Sequence, residues 1–440
     1  MPIKTLPKLE FKHRRRHLMQ MMGQNSIAVI PSSQEHIRNR DVEYPFRQDS
    51  DFLYLTGFSE PEAVAVFIPG RKQGEYILFS RERDQKKETW TGRRAGQEGA
   101  LSLYEADDAF PISDIDDILP GLLEHHEQVY YTMGKDAQFD SRLMDWVNQL
   151  RKKARGGSGA PHQFTDLEFL LHEMRLYKSR SEMRIMRAAA EVTQDAHLRA
   201  LTACKPGLYE YEIEAELLYS FHRAGTEPAY PSIVGGGKNG CILHYTENNQ
   251  VLNDGDLLLI DAGAEYEGYA SDVTRTFPVN GRYTPAQRDL YDVVLAAQQA
   301  AIDSVIPGNH WNDPHTAAVR VITEGLLKLG ILKDKSLGEL IKDEAYKLYY
   351  MHRTGHWLGL DVHDVGDYKV DDEWRVLEPG MVLTVEPGLY IPAGSKGVAK
   401  KYWDIGIRIE DDVLVTKTGH EVLTEKIPRD PETIEALMAT

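Results

Sequence analysis

Five residues in the second half of the chain have the types that bind divalent metal ions: Asp261, Asp272, His356, Glu386 and Glu410. Each lies in or beside a short segment that reads as a strand or a strand edge, and carboxylates recur at the ends of apolar runs, where a solvated charge is out of place. Four carboxylates and one imidazole suit a pair of hard or borderline divalent ions better than a single structural zinc. Two such ions carry four positive charges against four negative ones. Burying the carboxylates unpaired would cost on the order of several kcal/mol each. The set therefore implies metal-assisted hydrolysis. Taken singly, each acid reads more simply as solvated or capping, and Glu410-Asp-Asp412 as an exposed acidic run; the joint pattern carries the assignment.

The elements that must position these residues can be read locally. Asp256-Leu-Leu-Leu-Ile-Asp261 is a nearly continuous apolar run, as expected of a buried strand. Tyr269-Ala-Ser-Asp-Val-Thr-Arg-Thr-Phe277 is rich in aromatic and β-branched residues and predicts a second strand. A hairpin centred between Tyr266 and Glu267 would place Asp261 opposite Asp272, with Cβ atoms about 4.5–5.5 Å apart. Met381-Val-Leu-Thr-Val-Glu386 is bounded by Pro379-Gly380 and Pro387-Gly388, and Gly406-Ile-Arg-Ile-Glu410 predicts a further strand. Alternation puts Arg408 and Glu410 on one face, so Arg408 is placed to orient a metal ligand. His356 lies in His352-Arg-Thr-Gly-His-Trp-Leu-Gly-Leu-Asp-Val-His363, which holds three histidines.

These motifs, Leu259-Ile-Asp-Ala-Gly263, Ser271-Asp-Val-Thr-Arg-Thr276, His352 to Asp364, Thr384-Val-Glu-Pro-Gly-Leu-Tyr390 and Gly406-Ile-Arg-Ile-Glu-Asp411, resemble the pita-bread metallopeptidases. Within that family the aminopeptidase P group is most similar, since Tyr44-Pro-Phe-Arg-Gln-Asp-Ser-Asp-Phe-Leu-Tyr-Leu-Thr-Gly-Phe58 and Gly240-Cys-Ile-Leu-His-Tyr-Thr-Glu-Asn248 match its other signatures. The resemblance implies an α/β (α+β) chain: an amino-terminal domain over residues 1–176, with roles in oligomerisation and the cleft edge, and a pita-bread catalytic domain over 177–440. It implies removal of an amino-terminal residue that precedes proline, with two divalent ions, manganese in preference. Asp272 and Glu410 would bridge the ions, Asp261 would complete one site, and His356 with Glu386 the other.

The same resemblance assigns catalytic roles to His363, Glu386, His244, His352 and Arg408, and substrate contacts to Trp90 and Tyr390. From residue type alone, His244 and His363 read as structural histidines and Trp90 as a surface or core aromatic. In the family the comparable tryptophan reaches a neighbouring subunit, which implies a homo-oligomer, a tetramer or a dimer. One departure from the family pattern is Arg353-Thr-Gly355 between the first two histidines of the motif; it adds a cation beside the cleft. Two other readings stay open: a prolidase-type dipeptidase with the same ligands, and a silent binding module that has lost them.

Composition sets outer bounds. A chain of 440 residues predicts two domains, each with its own core. The net charge of −17 argues against a nucleic-acid groove. Two cysteines, Cys204 and Cys241, suggest no disulfide framework and point to a reducing, cytoplasmic setting. No apolar run reaches the ~20 residues of a membrane-spanning helix. Lys12-His-Arg-Arg-Arg-His17 reads as part of a basic amphipathic helix rather than a targeting peptide. Arg151-Lys-Lys-Ala-Arg-Gly-Gly-Ser-Gly-Ala-Pro161 is the most linker-like stretch. A helix capped by Ser179-Arg-Ser-Glu182 is expected to run to about Cys204, and another to open at Thr284-Pro285.

Overall fold

A computed structural model describes residues 5–439. The chain forms two compact units, one of Leu6–Arg175 and one built from Leu176 onward. In the first, the apolar runs expected as strands become Ser26–Pro31, Val64–Phe67 and Tyr76–Ser80. They lie at the centre of a six-stranded sheet that also holds Asp108–Pro111 at one edge, and Gln128–Tyr130 and Gln163–Thr165 at the other. Val29, Val66, Phe79, Leu119 and Trp146 belong to its buried core.

Two features of this unit differ from composition-based expectation. The basic run lies in the helix Lys8–Met22, but Arg14 and Arg15 are buried. Their guanidinium groups donate to the carbonyls of Tyr54 (2.9 Å) and Leu55 (3.1 Å), in the last turn of the helix Ser50–Thr56, where no intrahelical donor is available. The linker-like stretch Arg151–Pro161 does not separate the two units. It joins the helix Ala137–Lys152 to the edge strand Gln163–Thr165 of the same sheet. Gly, Ser and Lys suit an exposed connection of either kind, and only the ladder to Gln128–Tyr130, formed across the fold, distinguishes them.

The second unit is built twice on one plan: two helices followed by antiparallel strands. Arg180–Ala203 packs on Glu210–Arg223, and Pro285–Asp303 packs on Asp313–Lys328. The first helix of each pair opens where expected from sequence: Ser179 and Glu182 form the expected capping box, and at the expected Thr284-Pro285 start Thr284 and Gln287 form a second one. After the first pair come Ile233–Gly236, Leu257–Asp261 and Thr274–Pro278 in one sheet. After the second come Val382–Val385, Asp411–Val415 and His420–Val422 in another, with Gly388–Ile391 paired to Ile405–Arg408. Side-chain and backbone bonds tie the two sets together: Glu410 N donates to Thr274 O (3.1 Å), and Thr276 Oγ1 donates to Arg408 O (2.9 Å).

The hairpin register differs from expectation by two residues. Tyr266 pairs with Tyr269, so the loop is Glu267-Gly268 and Asp261 faces Thr274 rather than Asp272. Both loop residues have positive φ, 52° and 84°. A two-residue hairpin of this kind needs that conformation at both central positions, which Glu-Gly takes far more readily than Tyr266 would. An even shift preserves which face each side chain occupies. Asp272 falls in the irregular step Ser271–Val273, opposite the step Ala262–Gly263. There the backbones approach so closely that a Cβ on Gly263 would sit 1.6 Å from Ser271 O.

Gly263→Ala should therefore destabilise the protein by about 3 kcal/mol or more. Gly338→Ala, at a helical site with open space, should be neutral or mildly stabilising. Urea denaturation of the two variants checks the contrast.

Candidate metal centre

Asp261, Asp272, His356, Glu386 and Glu410 line one cavity of about 320 Å³, together with His244, His352, Arg353, His363 and Arg408. Ligand-type atoms of Asp272, His356 and Glu410 all lie within 4.8 Å of one another. Asp261 joins through Tyr230, whose hydroxyl bonds both Asp261 Oδ1 (2.7 Å) and Asp272 Oδ1 (2.5 Å). Glu386 joins through His356, whose Nε2 is 3.7 Å from Glu386 Oε1 and 3.3 Å from Asp272 Oδ2.

The surroundings fix each of these groups. Arg408 Nη2 donates to Asp261 Oδ2 (2.6 Å), and its Nε donates to Thr274 Oγ1 (3.0 Å). Thr274 in turn donates to Glu410 Oε2 (2.6 Å), so one arginine and one threonine hold two of the acids. His356 Nδ1 lies 2.9 Å from Trp357 O. Donation there leaves Nε2 to face the carboxylates, as a ligating imidazole requires. Glu386 N donates to Thr354 O (2.7 Å) and His356 N to Thr384 Oγ1 (3.1 Å), which sets His356 beside Glu386. Asp412 accepts from the Asp272 backbone N–H (3.1 Å) and from Ser271 Oγ (2.7 Å), anchoring the irregular step.

The histidines divide by environment. His352 is driven down to about 3, by burial first and then by Arg408. Neutral, it donates from Nδ1 to Arg353 O (2.7 Å) and accepts the Tyr390 hydroxyl at Nε2 (2.9 Å). His363 is exposed on the cavity wall, its ring 4.3 Å from that of His356, and partial burial lowers its pKa. His244 is also an exposed wall residue. Tyr390 is only 1 % exposed; it bonds His352 and also accepts from Arg408 Nη1 (3.0 Å). Its contacts position those two groups. Trp90 is not among the residues brought together: it is 88 % exposed on the short helix Gln85–Thr91 of the amino-terminal unit.

The electrostatics favour cations. Burial and the neighbouring acids push Glu410 well above its ordinary value, and burial pushes Glu386 up to about 7. Asp261 is also raised, by burial opposed by Arg408. Burial alone would lower His356, but the Asp272 hydrogen bond and the charge of Glu386 push it up to about 9. Several buried acids that cannot comfortably ionise together mark a site short of positive charge. The donor set, mostly oxygen with one imidazole, fits divalent ions. A second convergent set, Asp51, Glu168 and His172 in the amino-terminal unit, differs in this respect. There Arg175 bonds Asp51 (2.8 Å) and Lys135 lies near both acids, so the charge is already matched.

Tyr230, Thr274, Thr354, Thr384 and Asp412 were not singled out from sequence. For Asp412 a signal existed. Asp411 and Asp412 open a Val-Leu-Val strand and are essentially unexposed, which excludes the solvated acidic run. Asp411 pairs with buried Arg275 (2.7 Å) and accepts from Gln298 (2.7 Å) and Thr424 (2.6 Å).

Residues 184–417, more than half of the chain, match the model of metallopeptidase family M24. The chain belongs to metallopeptidase family M24. Residues 11–130 of this M24 chain also match the aminopeptidase P amino-terminal domain. It is 48 % identical to the Xaa-Pro aminopeptidase of Escherichia coli over 98 % of its own length and 97 % of the relative's. Its structure is similar to that of Pseudomonas aeruginosa aminopeptidase PepP, with a TM-score of 0.98, 59 % identity and 99 % of each chain covered. It also resembles zinc-substituted E. coli aminopeptidase P in complex with product, with a TM-score of 0.96, 47 % identity and 99 % of each chain covered.

The charge imbalance makes stability depend on pH and metal. A carboxyl whose folded-state pKa is raised stabilises fully below its unfolded value, and that contribution is lost as pH climbs through the folded one. In metal-free M24 protein the Glu386 contribution should therefore fall between its ordinary 4.5 and about 7. Scanning calorimetry should show a Tm that declines over this range more steeply in the wild type than in Glu386→Gln. Added manganese should raise Tm more at pH 7.5 than at pH 5. Identical slopes in the two proteins would remove the assignment.

Proposed function

We propose that this chain is an Xaa-Pro aminopeptidase, a metallo-exopeptidase that releases the first residue of peptides with proline second. The convergence of the five ligand-type side chains and three histidines in one cavity carries this reading, and the identity to Xaa-Pro aminopeptidases along the whole chain supports it. Asp261, Asp272, His356, Glu386 and Glu410 would hold two divalent ions, manganese in preference. When bound, such a pair supplies a water acidic enough to act near neutral pH and Lewis acidity toward the peptide carbonyl.

The remaining steps fall to the chain's own residues. Glu386, which lines the cavity beside His356, receives the proton of the attacking water and returns it to the leaving prolyl nitrogen. That nitrogen belongs to a tertiary amide with no N–H, so the site must accept a ring in place of a donor. His363 donates to the carbonyl oxygen as negative charge develops on it. His244 contacts substrate from the exposed wall. Arg408 orients Asp261 and favours its charged form, and Tyr390 holds His352 and Arg408 in place. The free amine of the peptide would be held by a metal or an acidic group of the floor, which restricts cleavage to the first bond.

The reading extends to a homo-oligomer in the cytoplasm, in which exposed Trp90 completes a neighbouring subunit's cleft. Both cysteines are free, in keeping with a reducing compartment. Among the described residues no helix is long and apolar enough to cross a membrane. A prolidase-type dipeptidase would need a cleft closed beyond the second residue. A silent module would need a broken ligand set, and the set is complete here.

Hydrolysis of Xaa-Pro-Yaa, Xaa-Pro and Xaa-Ala-Yaa, with and without manganese, tests the function. Manganese-dependent turnover of the first should dominate, and turnover of Xaa-Pro alone would substitute the dipeptidase. On Xaa-Pro-Yaa, His363→Ala should lose about 10²–10³ in kcat, a loss of roughly 2.7–4 kcal/mol in transition-state stabilisation. Its Tm and metal content should stay unchanged; near-normal kcat would end the role. Trp90→Ala should weaken binding of longer peptides at unchanged metal content, and a fully active monomer in sedimentation would exclude the shared cleft.

A further inference from the structure

The floor of the cavity is negative and buried, while its exposed wall carries a cation that the proposed mechanism does not use. Arg353 is exposed and lines the cavity beside His352. Its Nη2 donates to Asn312 Oδ1 (2.5 Å), and its guanidinium carbon lies 5.1 Å from the Trp374 ring centroid. The indole face and the amide hold the planar group with little freedom left to lose on binding a ligand. Among the described residues it has no acidic partner. A guanidinium carries five N–H donors. The bond to Asn312 uses one, which leaves an edge able to take a carboxylate in two parallel hydrogen bonds.

We propose that Arg353 is a specificity residue that receives a carboxylate of the peptide downstream of the scissile bond. This rests on the Xaa-Pro aminopeptidase reading and names a preference within it. The polarity follows from the aminopeptidase reading. The first peptide bond must reach the ligand-lined floor, so the chain enters amine first and its carboxyl end trails toward the exposed wall, where Arg353 repels a cationic amine and attracts a carboxylate. At 320 Å³ the cavity is at the small end of ligand sites, so it encloses only the first residues of a peptide. With a net charge of −17, the protein repels anionic peptides over most of its surface, and Arg353 offsets that repulsion where the substrate leaves the cavity. The carboxylate can come from the free carboxyl end of a short peptide or from an acidic side chain in the third position.

Steady-state kinetics on the manganese-loaded full chain distinguish these sources and test the role. The substrates are Xaa-Pro-Ala with a free carboxyl end, Xaa-Pro-Ala amide and Xaa-Pro-Asp amide. The wild type should prefer one or both acidic peptides over the neutral amide by about three- to tenfold in kcat/KM, mostly through KM, as expected of a half-solvated charged hydrogen bond. The acid that shows the preference identifies the source. In Arg353→Gln, which keeps a donor for Asn312 without the charge, the preference should collapse toward unity; in Arg353→Lys part of it should return. Calorimetric titration with Pro-Ala and Pro-Ala amide gives a readout independent of turnover, and the acid should bind more tightly only when residue 353 is cationic. Equal kcat/KM for all three peptides in the wild type, or a preference that survives in a folded Arg353→Gln protein, would overturn the role of Arg353 while leaving the peptidase reading intact. Cleavage of none of the three would instead overturn the peptidase reading, and the specificity role with it.

Discussion

Concentrated negative charge at the bottom of one cavity is the constraint on which the rest of the catalytic unit depends. Asp261, Asp272, Glu386 and Glu410 are brought together with Arg408 and His356 as the cations that contact them. Removing such charges from water is costly unless each is hydrogen-bonded and offset. The fold answers with fixed donors: Tyr230 between two acids, Thr274 on Glu410, and Arg408 spanning Asp261 and Thr274. What these donors leave unmatched is the room for divalent ions.

The same constraint explains the polar network behind the cavity. Arg275 is only 2 % exposed, yet it bonds Asp411 and backbone carbonyls from Thr274 and Ile427. Asp411 and Asp412 each satisfy several donors, so consecutive buried acids become fixed points rather than liabilities. Because these bonds cross between the two sets of strands, they also set how closely Asp272 and Glu410 can approach. Backbone shape contributes at the irregular step, where Gly263 lets Ser271 come close and Asp412 holds the next peptide.

The wall of the cavity is chemically different from its floor. His244, Arg353 and His363 are exposed, polar and not tied to the acids, whereas His352 is neutral and locked between Tyr390 and the Arg353 carbonyl. A site arranged this way separates the groups that hold charge from those open to solvent. The first need burial and fixed bonds, and the second need access.

Much of this protein was legible locally. Residue type marked the five ligand candidates, because carboxylates ending apolar runs conflict with solvation. A capping box at Ser179 and a first-turn proline at Pro285 marked two long helices, because both signals act within one turn. Alternation put Arg408 near the acids, and burial of the runs gave the central strands. Tertiary structure alone decided the rest. The hairpin register depended on which two residues take positive φ. The placement of Arg151–Pro161 depended on an edge strand paired across the sheet. Tyr230 reaches acids 31 and 42 positions away, Ser271 meets Asp412 across 141, and Arg353 is held by Asn312 41 positions earlier. Sequence fixes the donors and acceptors a chain owns; which of them meet is set by packing, where one hydrogen bond joins segments with no local signal in common.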